Sequence, residues 1–469
     1  MTSPGAHADT PLATQVATWA LRLTYDDVPA DVVHATRLRL LDVIGLALAG
    51  SDSRFGRATR DALIAMAATG PSLIMGTGDR VGIPTAAFAN AAFAQALEFD
   101  DTHNESIVHM SSPAVAAALA IADSRPIDGR DLVTAVACAN EISCRIGSVS
   151  SGEFHRRGFH PTGLFAPFGV AALAGRLLGL SPDGLAHAFG ICGSFAAGVL
   201  ECWVDGTDSK FLHSGAAAQN GIAAALLAQA GVSGPPRVLE GRFGLFASHL
   251  QDPAARRDLA RVTSRLGDHW ESRNASFKPY PAAHVLHPYI DAVLRAREQH
   301  RIDPSTVERI DCPVAAFIVP IVCEPVEEKT APATPAHGRV CLQYTLAEAL
   351  YTGVLGRSAY GRFDDPPIRA LARRVHYHVD PTYPGPGRFK GEVRITLRDG
   401  RVIAELQEHN LGSPENPMTD EQLRSKFDDN ASCVLDENSR QQLADVIAGV
   451  ERLEDVSMIT RLTVGEAHV

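Results

Sequence analysis

The chain of 469 residues has eight cysteines, but no two of them form a CxxC pair. A zinc ribbon or a dithiol redox site therefore has no support, and scattered cysteines are typical of buried, reduced thiols in a cytosolic protein. The N-terminus lacks the basic region and apolar core of a signal peptide. The most apolar stretch, 185–200, is interrupted by His187 and four Gly or Ser residues, which is too broken to span a bilayer. We expect a cytoplasmic protein with no membrane partner.

The sequence also lacks any basic stripe, and its net charge at pH 7 is −11. An acidic surface without basic clusters argues against a nucleic-acid partner. Neither a glycine-rich phosphate loop, nor a dinucleotide fingerprint, nor a nucleophilic serine elbow is present. If the substrate is an anion, local Lys, His and helix N-termini must attract it against the overall charge.

Composition is that of an ordinary globular enzyme, with 45% hydrophobic and 21% charged residues. The length exceeds what one hydrophobic core usually supports, so two domains are expected. Residues 11–270 show helical periodicity and helix-start signals such as Ser112-Pro113 and Ser181-Pro182. No internal repeat or low-complexity linker is seen.

The pattern changes after about residue 273. Stretches 307–318, 375–379 and 393–397 alternate at period 2, and Asp399-Gly400 leads from the third of these into 402–406, which predicts a hairpin. Helices return from Thr419. We predict a mainly α fold, in which a large all-helical domain (1–273 and 412–469, discontinuous) carries an inserted, smaller α+β lid domain (274–411).

The stretch 98–113, Glu-Phe-Asp-Asp-Thr-His-Asn-Glu-Ser-Ile-Val-His-Met-Ser-Ser-Pro, lies between two Ala-rich apolar segments. A core does not need so many titratable groups between two of its helices, so we interpret the loop as one side of an active site. Its carboxylates and imidazoles are metal-ligand types, but their spacing fits no metal motif, and no metal is expected. We expect a helix to start at Ser112-Pro113, with its positive end near His109 favouring a bound carboxylate.

Four further residues lie at polar breaks between apolar helices. His160, Lys210, Lys278 and Tyr344 are each, taken singly, more typical of structural positions than of catalytic ones. Together they supply an imidazole for acid–base work, ammonium groups for carboxylates and a phenol as a proton donor. His284 and His287 follow Lys278, and we expect both to be structural or to support the site from behind.

In these stretches the sequence resembles the MmgE/PrpD family, whose members dehydrate 2-methylcitrate, decarboxylate cis-aconitate or epimerise iminodisuccinate. The resemblance covers essentially the whole chain. It rests on short matches in family order, namely Leu-Asp-Val-Ile-Gly at 41–45, Glu-Phe-Asp-Asp-Thr at 98–102 with His109, Phe-His-Pro at 159–161, Lys210 with 215–221, Phe-Lys-Pro-Tyr-Pro at 277–281, Gln343-Tyr344, and Pro-Glu-Asn-Pro-Met at 414–418.

The resemblance implies a large helical domain, a smaller α+β lid, a homodimer and a cofactor-free site in the cleft between the domains. It assigns His109, His160, Lys210, Lys278 and Tyr344 to the active site and Thr102 to the substrate pocket. Glu98 stands where decarboxylases of the family have Asp, and one extra residue separates Thr102 from His109.

The predicted activity is that of a lyase acting on a small di- or tricarboxylic acid, dehydrating 2-methylcitrate or decarboxylating cis-aconitate, by proton transfer next to a carboxylate. His109 and His160 are the expected acid–base pair, because imidazole titrates near neutral pH. Glu98, Asp100, Asp101 and Thr102 are expected to position the substrate or His109. The alternatives are an epimerase of an amino-dicarboxylate such as iminodisuccinate and, less favoured, a non-catalytic protein that binds small acids.

Overall fold

The computed structural model describes residues 10–385 and 387–465, and this part of the chain is mainly helical. The first twelve helices are α1 (Leu12–Arg22), α2 (Ala30–Ser51), α3 (Arg54–Met66), α4 (Ile83–Gln95), α5 (Ser111–Ala122), α6 (Gly129–Ser148), α7 (Glu153–Arg156), α8 (Pro161–Leu178), α9 (Pro182–Phe195), α10 (Cys202–Asp205), α11 (Leu212–Gln229) and α12 (Leu245–Leu250). The later ones are α13 (His287–His300), α14 (Val326–Thr330), α15 (Pro335–Gly338), α16 (Leu342–Thr352), α17 (Pro366–Ala372), α18 (Asp420–Ala431), α19 (Glu437–Ala448) and α20 (Ser457–Arg461).

Helices α4 and α5 are apolar on all sides and rich in alanine, which is why both lie buried in the centre of the helical part. Alanine combines the highest helix propensity with a small side chain, so neighbouring helices approach closely. By length and composition alone, α8 is apolar enough to cross a membrane, but 83% of its residues are buried inside the protein. It is therefore packed as a core helix.

Eight strands form three small sheets in the described residues. β1 (Thr69–Leu73) pairs with β2 (Arg80–Val81), and β3 (Thr102–His103) pairs with β4 (Ala275–Ser276), both antiparallel. The third sheet has the order β6-β5-β7-β8, with β5 (Val307–Val314), β6 (Val375–Val379), β7 (Gly391–Leu397) and β8 (Val402–Gln407). The part predicted to be purely helical, 1–273, thus contains the β1–β2 pair and also strand β3, whose partner β4 lies just beyond it.

The period-2 stretches are confirmed as strands of the third sheet. β7 and β8 form the predicted antiparallel hairpin, whose turn has Gly400 at φ 84°, a left-handed conformation that glycine adopts without strain. β5 is parallel to β6 and ends at Val314, four residues before the predicted end, because a short 3₁₀ turn follows.

The described residues form two hydrophobic cores. The first is built from residues between 13 and 275 together with residues between 427 and 459, and the second from residues between 282 and 403. The C-terminal helices thus pack with the N-terminal part of the chain. The domain boundaries at 273 and 411 stay predictions. Movement of the α+β domain as a lid also stays a prediction.

Candidate active site

A cavity of about 930 Å³ is lined by residues from both cores. On the side of the first core its wall includes Glu98, Thr102, His109, His160 and Lys210. Lys278 joins them from the segment that connects the two cores, and the second core contributes apolar side chains such as Val285, Phe317 and Ile321. All six of these predicted residues, Lys278 included, therefore line one cavity.

The loop between α4 and α5 holds Glu98 in a left-handed conformation, with φ 55°. A residue other than glycine adopts this conformation at a cost, and such residues are concentrated at functional sites. The next turn pairs β3 with β4 so that Thr102 faces Ser276. Because Lys278 lies two residues beyond Ser276, this pairing brings its side chain to the loop that carries Glu98.

Glu98 lies between the two buried lysines. Lys210 Nζ lies 2.5 and 2.6 Å from the two carboxylate oxygens, and Lys278 Nζ lies 3.3 Å from Oε1 and donates to the Glu98 carbonyl oxygen at 3.1 Å. Burial alone would raise the pKa of Glu98, but Lys210, Lys278 and His109 hold it well below its usual range. Burial lowers the pKa of Lys278 below its ordinary value, and Glu98 opposes that shift. Glu98, Lys210 and Lys278 together carry one net positive charge.

His109 is oriented through its Nδ1 atom. That atom lies 3.0 Å from the Asp101 carbonyl oxygen and 3.2 Å from Asp100 Oδ1, so its proton is directed away from the cavity. The backbone N–H of His109 donates to Thr162 Oγ1 at 3.0 Å, which ties the loop to the first turn of α8. Nε2 is left on the cavity side, 3.9 Å from Glu98 Oε1. Nε2 can thus accept a proton from a ligand when the ring is neutral and donate one when the ring is protonated.

His160 precedes the first residue of α8, and its ring centroid lies 5.6 Å from that of His109. Its Nδ1 atom is 3.0 Å from Nδ1 of His213, while its buried Nε2 has no hydrogen-bond partner in the described part of the chain. Burial lowers the pKa of His160 well below its usual value, and the nearby Lys210 lowers it further. His160 is therefore a neutral imidazole near pH 7, with Nε2 available to a ligand.

Asp100 and Asp101 lie behind His109 and accept hydrogen bonds from the first residues of α5. Ser112 Oγ donates to Asp100 at 2.5 Å, and Ser111 donates to Asp101 through Oγ at 2.6 Å and through its N–H at 3.2 Å. The expectation that the positive end of this helix favours a bound carboxylate needs correction at Ser111, whose N–H already donates to Asp101. The helix also begins at Ser111, one residue before the predicted Ser112.

Comparison with known protein families gives two matches in chain order. The MmgE/PrpD N-terminal domain matches residues 14–258, and the MmgE/PrpD C-terminal domain matches residues 280–452. The chain belongs to the MmgE/PrpD family. Similar relatives include a cis-aconitate decarboxylase of Aspergillus terreus, 29% identical over 98% of this chain and 97% of that protein. The cis-aconitate decarboxylases of Mus musculus and Homo sapiens are 27% and 26% identical, each over 92% of this chain and about 90% of their own length.

Tyr344, which the MmgE/PrpD resemblance places in the active site, lies on α16 in the second core. Its ring packs 6.2 Å from that of Tyr360, and it is not among the residues that line the cavity. Burial raises the pKa of Tyr344 well above its usual value, and Glu348 adds to the shift. The phenol therefore stays protonated, and its role as a proton donor stays a prediction.

Three residues at or next to the cavity wall of this MmgE/PrpD protein were not predicted there. His213 pairs with His160, Trp203 places its ring 5.4 Å from Lys210 Nζ, and His284 lines the cavity instead of lying behind it. His213 closely follows Lys210 in sequence, His284 closely follows Lys278, and Trp203 closely precedes Lys210, and that proximity was the available signal. In the described ranges, no group of three His, Cys, Asp or Glu side chains is arranged to hold a metal ion.

Proposed function

We propose that the chain is a cofactor-free lyase that acts on a small di- or tricarboxylic acid, with decarboxylation as its preferred outcome. One observation carries this proposal. A buried carboxylate, Glu98, lies between two buried ammonium groups in a cavity that also exposes two imidazoles. The three relatives reported above are named cis-aconitate decarboxylases, and these names favour loss of CO₂ over loss of water.

The charges define where the substrate binds. Glu98 neutralises one of the two lysine charges and leaves one positive charge for the ligand. A substrate carboxylate next to Lys210 and Lys278 makes the cluster neutral, which is the arrangement that a buried site tolerates best. The same ammonium groups then face the negative charge that develops when a bond next to this carboxylate breaks.

The proposed decarboxylation moves one proton. The bond between a second carboxylate and its carbon breaks, CO₂ leaves, and the electron pair stays on that carbon, where it is delocalised towards the carboxylate held by the lysines. An imidazole then donates a proton to the carbon. His109, with Nε2 facing the cavity and Nδ1 directed at Asp101 and Asp100, is the donor that this geometry favours.

An epimerase is the second candidate, and the pair of imidazoles favours it. His109 and His160 have ring centroids 5.6 Å apart and both line the cavity. Two bases that flank one carbon are what removal and return of a proton on opposite faces require. The same residues would then leave the carbon skeleton of an amino-dicarboxylate unchanged.

One experiment separates these outcomes. Purified protein is mixed in D₂O with citrate, 2-methylcitrate, cis-aconitate or iminodisuccinate, and proton NMR spectra are followed over time. The proposal predicts a new unsaturated product from at least one tricarboxylate, with CO₂ formed from cis-aconitate. Deuterium exchange into iminodisuccinate without a new product identifies the epimerase. No change in any of the four acids contradicts both.

We also propose that the enzyme is a cytoplasmic homodimer, as the family resemblance implies. Light scattering coupled to size-exclusion chromatography measures the mass directly. A mass near twice 49.9 kDa is the expected result, and a mass of one chain would contradict the dimer.

A further inference from the structure

Lys329 is a buried lysine whose ammonium group forms no ion pair in the described part of the chain. It lies on α14 in the segment of the second core, lines the cavity and is only 2% exposed. Across residues 10–385 and 387–465, neither a hydrogen bond nor an ion pair is formed by its Nζ atom. An ammonium in a cavity wall loses part of its hydration without gaining an ion pair, so such a group is expected to meet an anion when the site is in use.

The other buried lysines provide the comparison. Lys210 and Lys278 share Glu98, and Lys426 Nζ lies 2.7 Å from Asp42 Oδ1 and 2.9 Å from the Phe99 carbonyl oxygen. Each of these three thus has a carboxylate within the protein. Lys329, which is also buried, has no such ion pair.

Burial lowers the pKa of Lys329, and neighbouring groups that include Glu328 partly oppose this shift, but in the described ranges none of them forms an ion pair with its Nζ atom. Burial raises the pKa of the Cys323 and Cys341 thiols to about 12, so both stay neutral. Glu328 is exposed, and Glu324 accepts a hydrogen bond from the Tyr377 hydroxyl. His337 lies near Lys329, and its buried Nε2 has no hydrogen-bond partner in the part of the chain that the structure describes.

The position of Lys329 relative to the other cations is fixed by packing between the two cores. Thr334 Oγ1 donates to the Gly206 carbonyl oxygen at 3.3 Å, and Gly206 lies directly against His337. This contact joins the segment that carries Lys329 to the loop that leads to Lys210. Cations from both cores therefore face one cavity.

We infer that Lys329 binds a second anionic group of the ligand, on the side of the cavity that the second core forms. The ligand is thus a polycarboxylate that bridges the two cores, with one carboxylate at Lys210 and Lys278 and another at Lys329. This inference rests on the proposed function and extends it, because it requires at least two carboxylates and assigns a specificity residue to the second core.

The test is binding of propane-1,2,3-tricarboxylate, which has no reactive bond, to wild type and to Lys329→Met, measured by calorimetry. Loss of a charge-assisted contact is expected to weaken binding by at least about tenfold. Lys329→Arg keeps the charge and should recover most of the affinity. Lys390→Met, which removes an equal charge from a lysine paired with Glu408 outside the cavity wall, should change the affinity by less than about twofold.

A second measurement excludes a purely structural role. Since the Lys329 ammonium is unpaired in the free protein, ligand-free Lys329→Met should melt at the same temperature as wild type or higher. Equal affinity of Lys329→Met and wild type for the tricarboxylate, or no binding to wild type, would overturn the inference. The binding measurement requires no reaction, so it tests the inference alone. The proposed function is tested by the NMR experiment, where absence of turnover would contradict it.

Discussion

The Nδ1 atoms of His160 and His213 lie 3.0 Å apart. A hydrogen bond between two imidazoles needs one N–H and one lone pair, so the two rings hold different roles at these atoms. If His160 Nδ1 accepts the hydrogen bond, His160 Nε2 carries the proton and acts as an acid. If His160 Nδ1 donates it, Nε2 has the lone pair and acts as a base. His213 thereby determines which kind of catalyst faces the cavity.

His213→Ala should lower kcat by on the order of tenfold, the size typical for loss of a partner that orients a working imidazole. His213→Asn retains a donor and an acceptor and should lose less. Because a positioning role acts through His160, the pH dependence of kcat should also change in the Ala variant. Unchanged kcat and pH profile in His213→Ala would contradict the assignment.

Glu98→Gln should lower the free energy of unfolding at pH 7 by on the order of 3 kcal/mol, because it leaves two buried ammonium groups without their carboxylate. The folded-state pKa of Glu98 is held below its usual value of 4.5, so this stabilisation is present above about pH 4.5 and is lost as the pH falls further. Urea unfolding at pH 7 and pH 3 measures the difference.

The gap between wild type and Glu98→Gln is therefore expected to narrow at pH 3. Glu421→Gln is the matched control, since Glu421 is exposed in the first turn of α18 and the substitution should change stability by less than about 0.5 kcal/mol. A gap of equal size at both pH values would show that Glu98 is not the ionised partner of the two lysines.

Tyr344→Phe removes one hydroxyl from the second core. The family resemblance makes Tyr344 a proton donor, so Tyr344→Phe should lower kcat by on the order of 100-fold, the usual size of an acid–base contribution. Tyr360→Phe is the matched control, because its ring is a neighbour in the same core and its hydroxyl lies 3.2 Å from Thr345 Oγ1. Wild-type kcat in both variants would show that the predicted role of Tyr344 is wrong.

Local patterns in the sequence predicted much of this fold. The polar loop between α4 and α5 stands out because two apolar segments flank it, and the strands of the third sheet stand out through their alternation. Those signals depend on residues a few positions apart, where backbone geometry alone decides which side chains share a face.

The partners inside the site could not be predicted in the same way. Lys210 and Lys278 were expected to bind the substrate, but their sharing of Glu98 depends on packing of segments 112 and 180 residues away from it. Lys329 gave no signal for the same reason. An imidazole or ammonium group gains its function from the group it faces, and that neighbour is set by tertiary contacts.

The central claim is that His160 and Lys278 act on the bound acid, and kcat of their alanine variants tests it most directly. On the substrate identified by NMR, His160→Ala and Lys278→Ala should each lower kcat by on the order of 100-fold or more while the far-UV circular dichroism spectrum stays that of wild type. His34→Ala and Lys390→Ala, which change residues outside the cavity wall, should keep wild-type kcat. Near-wild-type turnover in His160→Ala or Lys278→Ala would contradict the account.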